Sequence, residues 1–167
     1  MEQKLESFKE KLKYGQDGEK EVAEVLINKN ICVVPLYQFV SDSTPILISK
    51  NQNNILPDLL CYSNNKKIIT GESFFAEVKT KNKWIKYNNS IETGLSYRLF
   101  REYYLIQTKT GNKVYLFFNH KKNNPIGLFY TELDNYSRFW DGLNCNGKQI
   151  MEQMVFYSYS NLKIIKN

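Results

Sequence analysis

The sequence predicts an α/β fold with a mixed central β-sheet flanked by helices, and two observations carry that prediction. Apolar residues recur at helical spacing near residues 19–30 and again near 94–111, while β-branched and aromatic runs lie between and after them. The resulting order (helix, three strands, helix, strands) mixes both element types in one sheet. A chain of 167 residues is one domain of ordinary size. The expected division is a helical arm over 1–14, a core over about 15–133, and a C-terminal extension over 134–167 with a last strand.

Element by element, Leu5, Phe8 and Leu12 form one stripe of a short amphipathic helix. "YGQDG" places two glycines in four residues and predicts a break, with Asp17 capping a second helix. That helix, from Glu19 to about Asn30, gathers Val22, Ala23, Val25, Leu26 and Ile27 on one broad side. "ICVVPLYQFV" reads as a strand that Pro35 pushes to an edge or bend. Residues 41–55 read as a polar loop with one apolar patch. "LPDLLCYS" and "IITGESFFAEVKT" are strands around the turn "NNKK", and "KNKWIKYNNS" is a basic loop. "GLSYRLFREYYLIQTKTG" is a helix closed by Gly111, with Leu95, Leu99, Tyr103 and Ile106 at helical spacing. "KVYLFFNH" and "GLFYTELD" are strands, "SRFWDGLNCNGKQI" is mostly loop, and "QMVFYSYSNLKII" is a strand or strand pair.

Composition narrows the function. Hydrophobic residues make up 42% and charged residues 24%, and no run approaches the ~20 apolar residues of a membrane span. The charged N-terminus lacks the apolar stretch of a signal peptide, and three scattered cysteines without a CxxC pair argue against zinc or a disulfide framework. A reducing, cytoplasmic setting is expected. The net charge of +6 favours a polyanionic partner such as nucleic acid. His120 is the only histidine, so a paired-histidine metal site is excluded.

The chemistry concentrates on two strands. Asp58 opens one, and Glu77 and Lys79 stand near the end of the next, where a hairpin sets the two ends side by side. Alternation points Glu77 and Lys79 the same way. A symmetric pairing of 58 with 77 would turn near Lys67 rather than at 64–66, so a bulge near Gly71 is expected to absorb the excess. Carboxylate oxygens suit Mg²⁺, with Mn²⁺ as a substitute, and a metal-held water is a ready nucleophile. A lysine can hold that water or balance charge developing on a phosphate. At about 100° per residue, Glu19 shares the apolar arc of Val22, Ala23 and Leu26, and so is aimed at the sheet.

"PD" at 57–58 and "EVK" at 77–79 resemble the PD-(D/E)xK motif of a large nuclease superfamily with a restriction-endonuclease-like core. "GQDGEKEVAEVLINKNICVV" resembles the first helix and strand of its small members, among them archaeal-type Holliday junction resolvases and small phage or plasmid endonucleases. The resemblance covers roughly residues 15–120. It implies that Asp58, Glu77 and the Val78 carbonyl bind the catalytic metal, that Lys79 acts on the attacking water, and that Glu19 completes the site directly or through a water. It implies hydrolysis of DNA phosphodiesters, leaving a 5′-phosphate. The QxxxY signature of the exonuclease branch is present only in reverse, as Tyr103 and Gln107. The long stretch before Asp58 and the segment beyond 120 also depart from the compact resolvases.

Lys81, Lys83 and Lys86, with Trp84 and Tyr87 among them, supply phosphate contacts and rings that can stack on an unpaired base; the alternative is a solvated loop with Trp84 folded onto the core. Arg98 and Arg101, one helical turn apart, can face the same groove. The expected function is a metal-dependent DNA endonuclease selective for branched DNA. The alternatives are a duplex-DNA restriction, repair or phage-processing nuclease, and a non-catalytic nucleic-acid-binding module. Symmetric cutting asks for a C2 homodimer, for which Phe129, Tyr130, Phe156, Tyr157 and Tyr159 offer apolar surface.

Overall fold

The computed structural model describes residues 2–36, 45–48, 53–63, 73–143, 147, 149 and 151–165; within it, side chains are described from residue 10 onward, Lys11 excepted. In chain order the elements are α1 (Glu2–Asn28), β1 (Ile31–Pro35), β2 (Ile46–Leu47), β3 (Asn54–Ile55), β4 (Leu59–Ser63), β5 (Ser73–Lys81), β6 (Ile85–Tyr87) and β7 (Ser90–Ser96). They continue with α2 (Tyr97–Thr110), β8 (Lys113–His120), β9 (Gly127–Glu132), β10 (Arg138–Trp140), β11 (Met154–Ser158), a 3-10 turn at Tyr159–Asn161 and β12 (Lys163–Ile164).

Six strands form the main sheet in the order β1-β4-β5-β8-β9-β12, and a second sheet runs β10-β11-β7-β6. In the main sheet β5 and β8 pair parallel, while the other neighbours pair antiparallel. The sheet is therefore mixed, as expected, and β1 with its Pro35 lies at an edge. Alternation along β5 builds two core layers. Phe74, Ala76 and Val78 pack with Val22 and Leu26 of α1, whereas Phe75 packs with Tyr103 and Ile106 of α2 and with Leu95, Val155 and Tyr157 of the second sheet. The end of β5 thus lies between the two helices.

Several elements differ from the sequence-based expectation. The glycine break is not there: α1 is a single helix of 27 residues running through Gly15 and Gly18, so arm and core are one element. Glycine costs only about 1 kcal/mol in a helix, and here no proline enforces a stop. Ile27 lies outside the apolar face and is exposed, as is Leu12. Residues 41–55 contain a two-stranded ladder, Ile46↔Ile55 and Leu47↔Asn54, fastened to α2 where Asn54 Nδ2 donates to Glu102. The basic loop is in large part the β6–β7 hairpin, turning at Asn88 and Asn89, which both take positive φ.

α2 begins at Tyr97 rather than Gly94, because Ser96 caps it and Gly94–Leu95 continue β7. Gly111 closes it in the left-handed region, as expected. The C-terminal extension is no appendage, since β11 pairs β7 and β12 pairs β9. Accordingly Phe129, Tyr130, Phe156 and Tyr157 are buried and offer no dimer surface; the exposed large aromatics include Tyr104, Tyr136 and Phe139 instead. The expected bulge near Gly71 and the "NNKK" turn lie outside the described residues. Within the described ladder the register is constant, from Leu59↔Ala76 to Tyr62↔Ser73.

Gly18 is what lets α1 lie close to β5. A Cβ there would overlap the Thr80 hydroxyl outright and stand 3.1 Å from Thr80 Cβ. Gly18→Ala is expected to destabilise the fold by about 1–3 kcal/mol, because the clash outweighs the helix propensity gained. Gly18→Ala combined with Thr80→Ala should recover most of that loss in urea denaturation, since the Thr80 hydroxyl is buried and has no hydrogen-bond partner among the described residues.

Candidate active site

Asp58, Glu77, Lys79 and Glu19 come together at the end of β5, and each arrives for a separate local reason. The register that pairs Leu59 with Ala76 carries Asp58 to the level of Glu77. There the Val78 amide donates to Asp58 Oδ2 at 2.8 Å, and the Leu36 amide donates to the Asp58 carbonyl. Two backbone bonds therefore fix the first carboxylate. Glu77 is buried, at 1% exposure, and the Lys79 ammonium pairs with its Oε1. Glu19 enters from α1, one residue after the glycine that permits the close approach.

A fifth side chain joins them. Tyr103 of α2 is buried, and its hydroxyl is directed at the Glu77 carboxylate. Burial, then the charges of Glu77 and Asp58, hold its phenol well above the usual range, so it stays a neutral donor. The helical spacing of Tyr103 marks it as a packing residue, and only the approach of α2 to β5 reveals its second role.

Three carboxylates in one place disfavour each other's charge. Burial first and the Glu77 charge second push Glu19 up to about 7. Asp58 is raised well above its ordinary value by burial, then by Glu77, and lowered by Lys79. Lys79 is raised, because attraction to Glu77 and Asp58 outweighs its burial. Glu19 Oε2 and Glu77 Oε2 are buried and have no hydrogen-bond partner among the described residues. Such hard oxygens, short of positive charge, fit an oxygen-seeking divalent cation. As the side chains stand, no group of three His, Cys, Asp or Glu among the described residues is already arranged to hold a metal ion. One Glu77 oxygen is taken by Lys79 and one Asp58 oxygen by the Val78 amide.

No protein-family model and no curated protein matches the chain by sequence. Among solved structures it is similar to Hjc of Archaeoglobus fulgidus, a Holliday junction resolvase from an archaeal hyperthermophile. The TM-score is 0.52, with 12% identity, over 87% of this chain and 89% of that one. The fold of the chain is similar to that of this resolvase.

The expected DNA-binding residues separate into four groups. Lys83 and Lys86 are exposed beside and on β6. Lys81 is half-buried and pushed down to about 8 by burial and by Lys79. Arg98 and Arg101 line one depression on α2, but Glu102 and Glu152 share it and offset their charge. Trp84 follows the second of its two readings: its indole stacks on His120, with centroids 3.7 Å apart, and its Nε1–H donates to the Pro125 carbonyl at 2.9 Å. Phe129 and Tyr159 meet it edge-on. Trp84 is packed rather than offered to a base. No helix among the described residues is long and apolar enough to cross a membrane.

His120 is fully buried, and neither ring nitrogen has a hydrogen-bond partner among the described residues. Burial, with help from Lys81, pushes it down to about 4 from its ordinary value of 6.5. Because the unfolded chain binds this proton more readily, stability is expected to fall as pH drops from about 6.5 to about 4, by about 2–3 kcal/mol. His120→Phe should remove that part of the pH dependence in urea titrations at pH 7 and pH 4. An unchanged slope would mean the ring is not held neutral by its burial.

Proposed function

We propose that the protein is a metal-dependent DNA endonuclease that cleaves branched DNA. The observation that carries the reading is the meeting of Asp58, Glu77, Lys79 and Glu19 at the end of β5, on a fold shared with a Holliday junction resolvase. In this reading Asp58, Glu77 and the Val78 carbonyl hold Mg²⁺ or Mn²⁺, and Glu19 completes the site directly or through a water. When bound, the ion supplies an activated water and polarises the phosphate.

The chain's own residues do the rest. Lys79, anchored on Glu77, positions the attacking water and balances charge that develops on the phosphate. The Val78 amide holds Asp58 in place, and Tyr103 limits the freedom of Glu77. Lys81 ends β5, Lys83 and Lys86 come just after it, and the three contact the phosphates flanking the cut. A resolvase role asks for two copies, one for each strand.

The test is cleavage of a four-way junction, a linear duplex and a plasmid, each with Mg²⁺ and with EDTA. Metal-dependent cutting of the junction faster than the duplex is the expected result. Equal rates would move the substrate to ordinary duplex DNA, and binding without cutting in Mg²⁺ or Mn²⁺ would end the nuclease reading.

A further inference from the structure

The outer face of the second sheet carries a layered stack that the cleavage chemistry leaves unused. At its base the Phe156 ring lies over Gly94, where an added Cβ would stand 3.0 Å from the ring. The Arg138 guanidinium comes next, 4.1 Å from the Phe156 centroid and 4.0 Å from that of Tyr87. Its charge is met by buried Glu92, with Nη2 donating to Oε2 at 2.6 Å. Tyr87 is the top layer and is 45% exposed.

This arrangement prepares Tyr87 for a planar partner. A ring held from below by a guanidinium has little rotamer freedom left to lose when something stacks on its other side. Its place in the chain matters as well. Tyr87 ends β6, immediately before the Asn88–Asn89 turn, with exposed Lys83 and Lys86 close by in the same segment. Eight residues separate it from Lys79, a span of at most about 26 Å at about 3.3 Å per residue. That is about eight base steps of DNA. A positive segment ending in a pre-set aromatic ring matches the two parts of an unpaired strand, phosphates and base faces.

We infer that Tyr87 stacks on an unpaired or splayed nucleobase of the DNA whose backbone is held at the carboxylate site. The inference rests on the nuclease reading for the position of the DNA, and it adds what makes a branch different from plain duplex. Tyr87 is a binding residue in this scheme, and Arg138, Phe156 and Glu92 position its ring.

The experiment measures binding in EDTA, so cleavage plays no part in the readout. Two otherwise identical duplexes are compared, one fully paired and one with a three-base bulge containing 2-aminopurine. Wild type and Tyr87→Phe are expected to prefer the bulge and to change the 2-aminopurine fluorescence. Tyr87→Leu, which still covers Arg138 but has no flat ring, should lose about fivefold to a hundredfold in affinity for the bulge, together with the fluorescence change. Tyr87→Leu matching wild type on both, or a wild type that binds neither duplex, would overturn the inference. Cleavage in Mg²⁺ by wild type against Asp58→Ala reports on the nuclease reading separately, so either can fail while the other stands.

Discussion

Lys79→Gln is expected to lose cleavage by about 10²–10⁴-fold while keeping the fold. The magnitude is that of removing one positioned acid–base or charge-stabilising group from a reacting phosphate. Lys79 is the cation coupled to all three carboxylates, with Glu77 first, then Asp58 and Glu19. Glutamine preserves a donor towards Glu77 Oε1 but brings no charge, so it separates chemistry from support. Lys79→Ala goes further and leaves buried Glu77 without its partner, a loss that costs about 3–5 kcal/mol where burial is complete. The alanine variant should therefore melt well below the glutamine variant at pH 8. Lys79→Arg is expected to fail as well, because a rigid planar fork cannot take the place of a compact ammonium. Single-turnover cutting of a four-way junction in Mg²⁺, beside thermal melting, checks all three. If Lys79→Gln cuts within tenfold of wild type, the lysine has no part in the chemical step.

The main features of the site are legible in the sequence because they depend on short-range rules. Period-two alternation puts Glu77 and Lys79 on one face, and a hairpin needs no tertiary knowledge to set Asp58 beside them. Glu19 follows from 100° per residue on a helix whose apolar side is unmistakable. Tyr103 is different in kind. Nothing local distinguishes a tyrosine whose hydroxyl meets a carboxylate from one whose ring fills a core, and Tyr103 does both.

Other features were hidden by competition between rules. Gly15 and Gly18 mark a break by propensity, yet packing of Val22 and Leu26 on the sheet and the approach of Gly18 to Thr80 keep α1 continuous. Leu95 fits both a helical and an alternating pattern, so the start of α2 was decided by the Ser96 cap. Asn88–Asn89 is a recognisable hairpin turn, but the lysines around it read as a solvated loop. Net charge is a sum over the chain and does not say which lysines meet phosphate. The exposed Lys83 and Lys86 and the acid-flanked Arg98 and Arg101 become distinct only in three dimensions.

Glu19→Gln is expected to make the protein more stable and less active. The carboxyl is pushed up to about 7 by burial and by Glu77, whereas in the unfolded chain it takes its ordinary value near 4.5. The folded state then holds this proton over a range where the unfolded state has released it. Stability is greatest below pH 4.5 as far as this group is concerned, falls as pH rises towards 7, and is flat above. Full burial would make the penalty about 3 kcal/mol, but Glu19 is only partly buried, and solvent screening reduces it to about 1 kcal/mol. Glutamine has no charge to penalise, so in EDTA its advantage over wild type should be absent at pH 4.5 and present at pH 8. A residue kept for support would show the opposite, a loss of stability on replacement. Mg²⁺ gives an independent readout: relief of carboxylate repulsion should raise the wild-type melting temperature at pH 8, and raise that of Glu19→Gln by less. Cleavage by the variant should fall at least tenfold. A gain in stability together with unchanged cleavage would remove Glu19 from the metal-holding set and leave Asp58 and Glu77 to hold the ion.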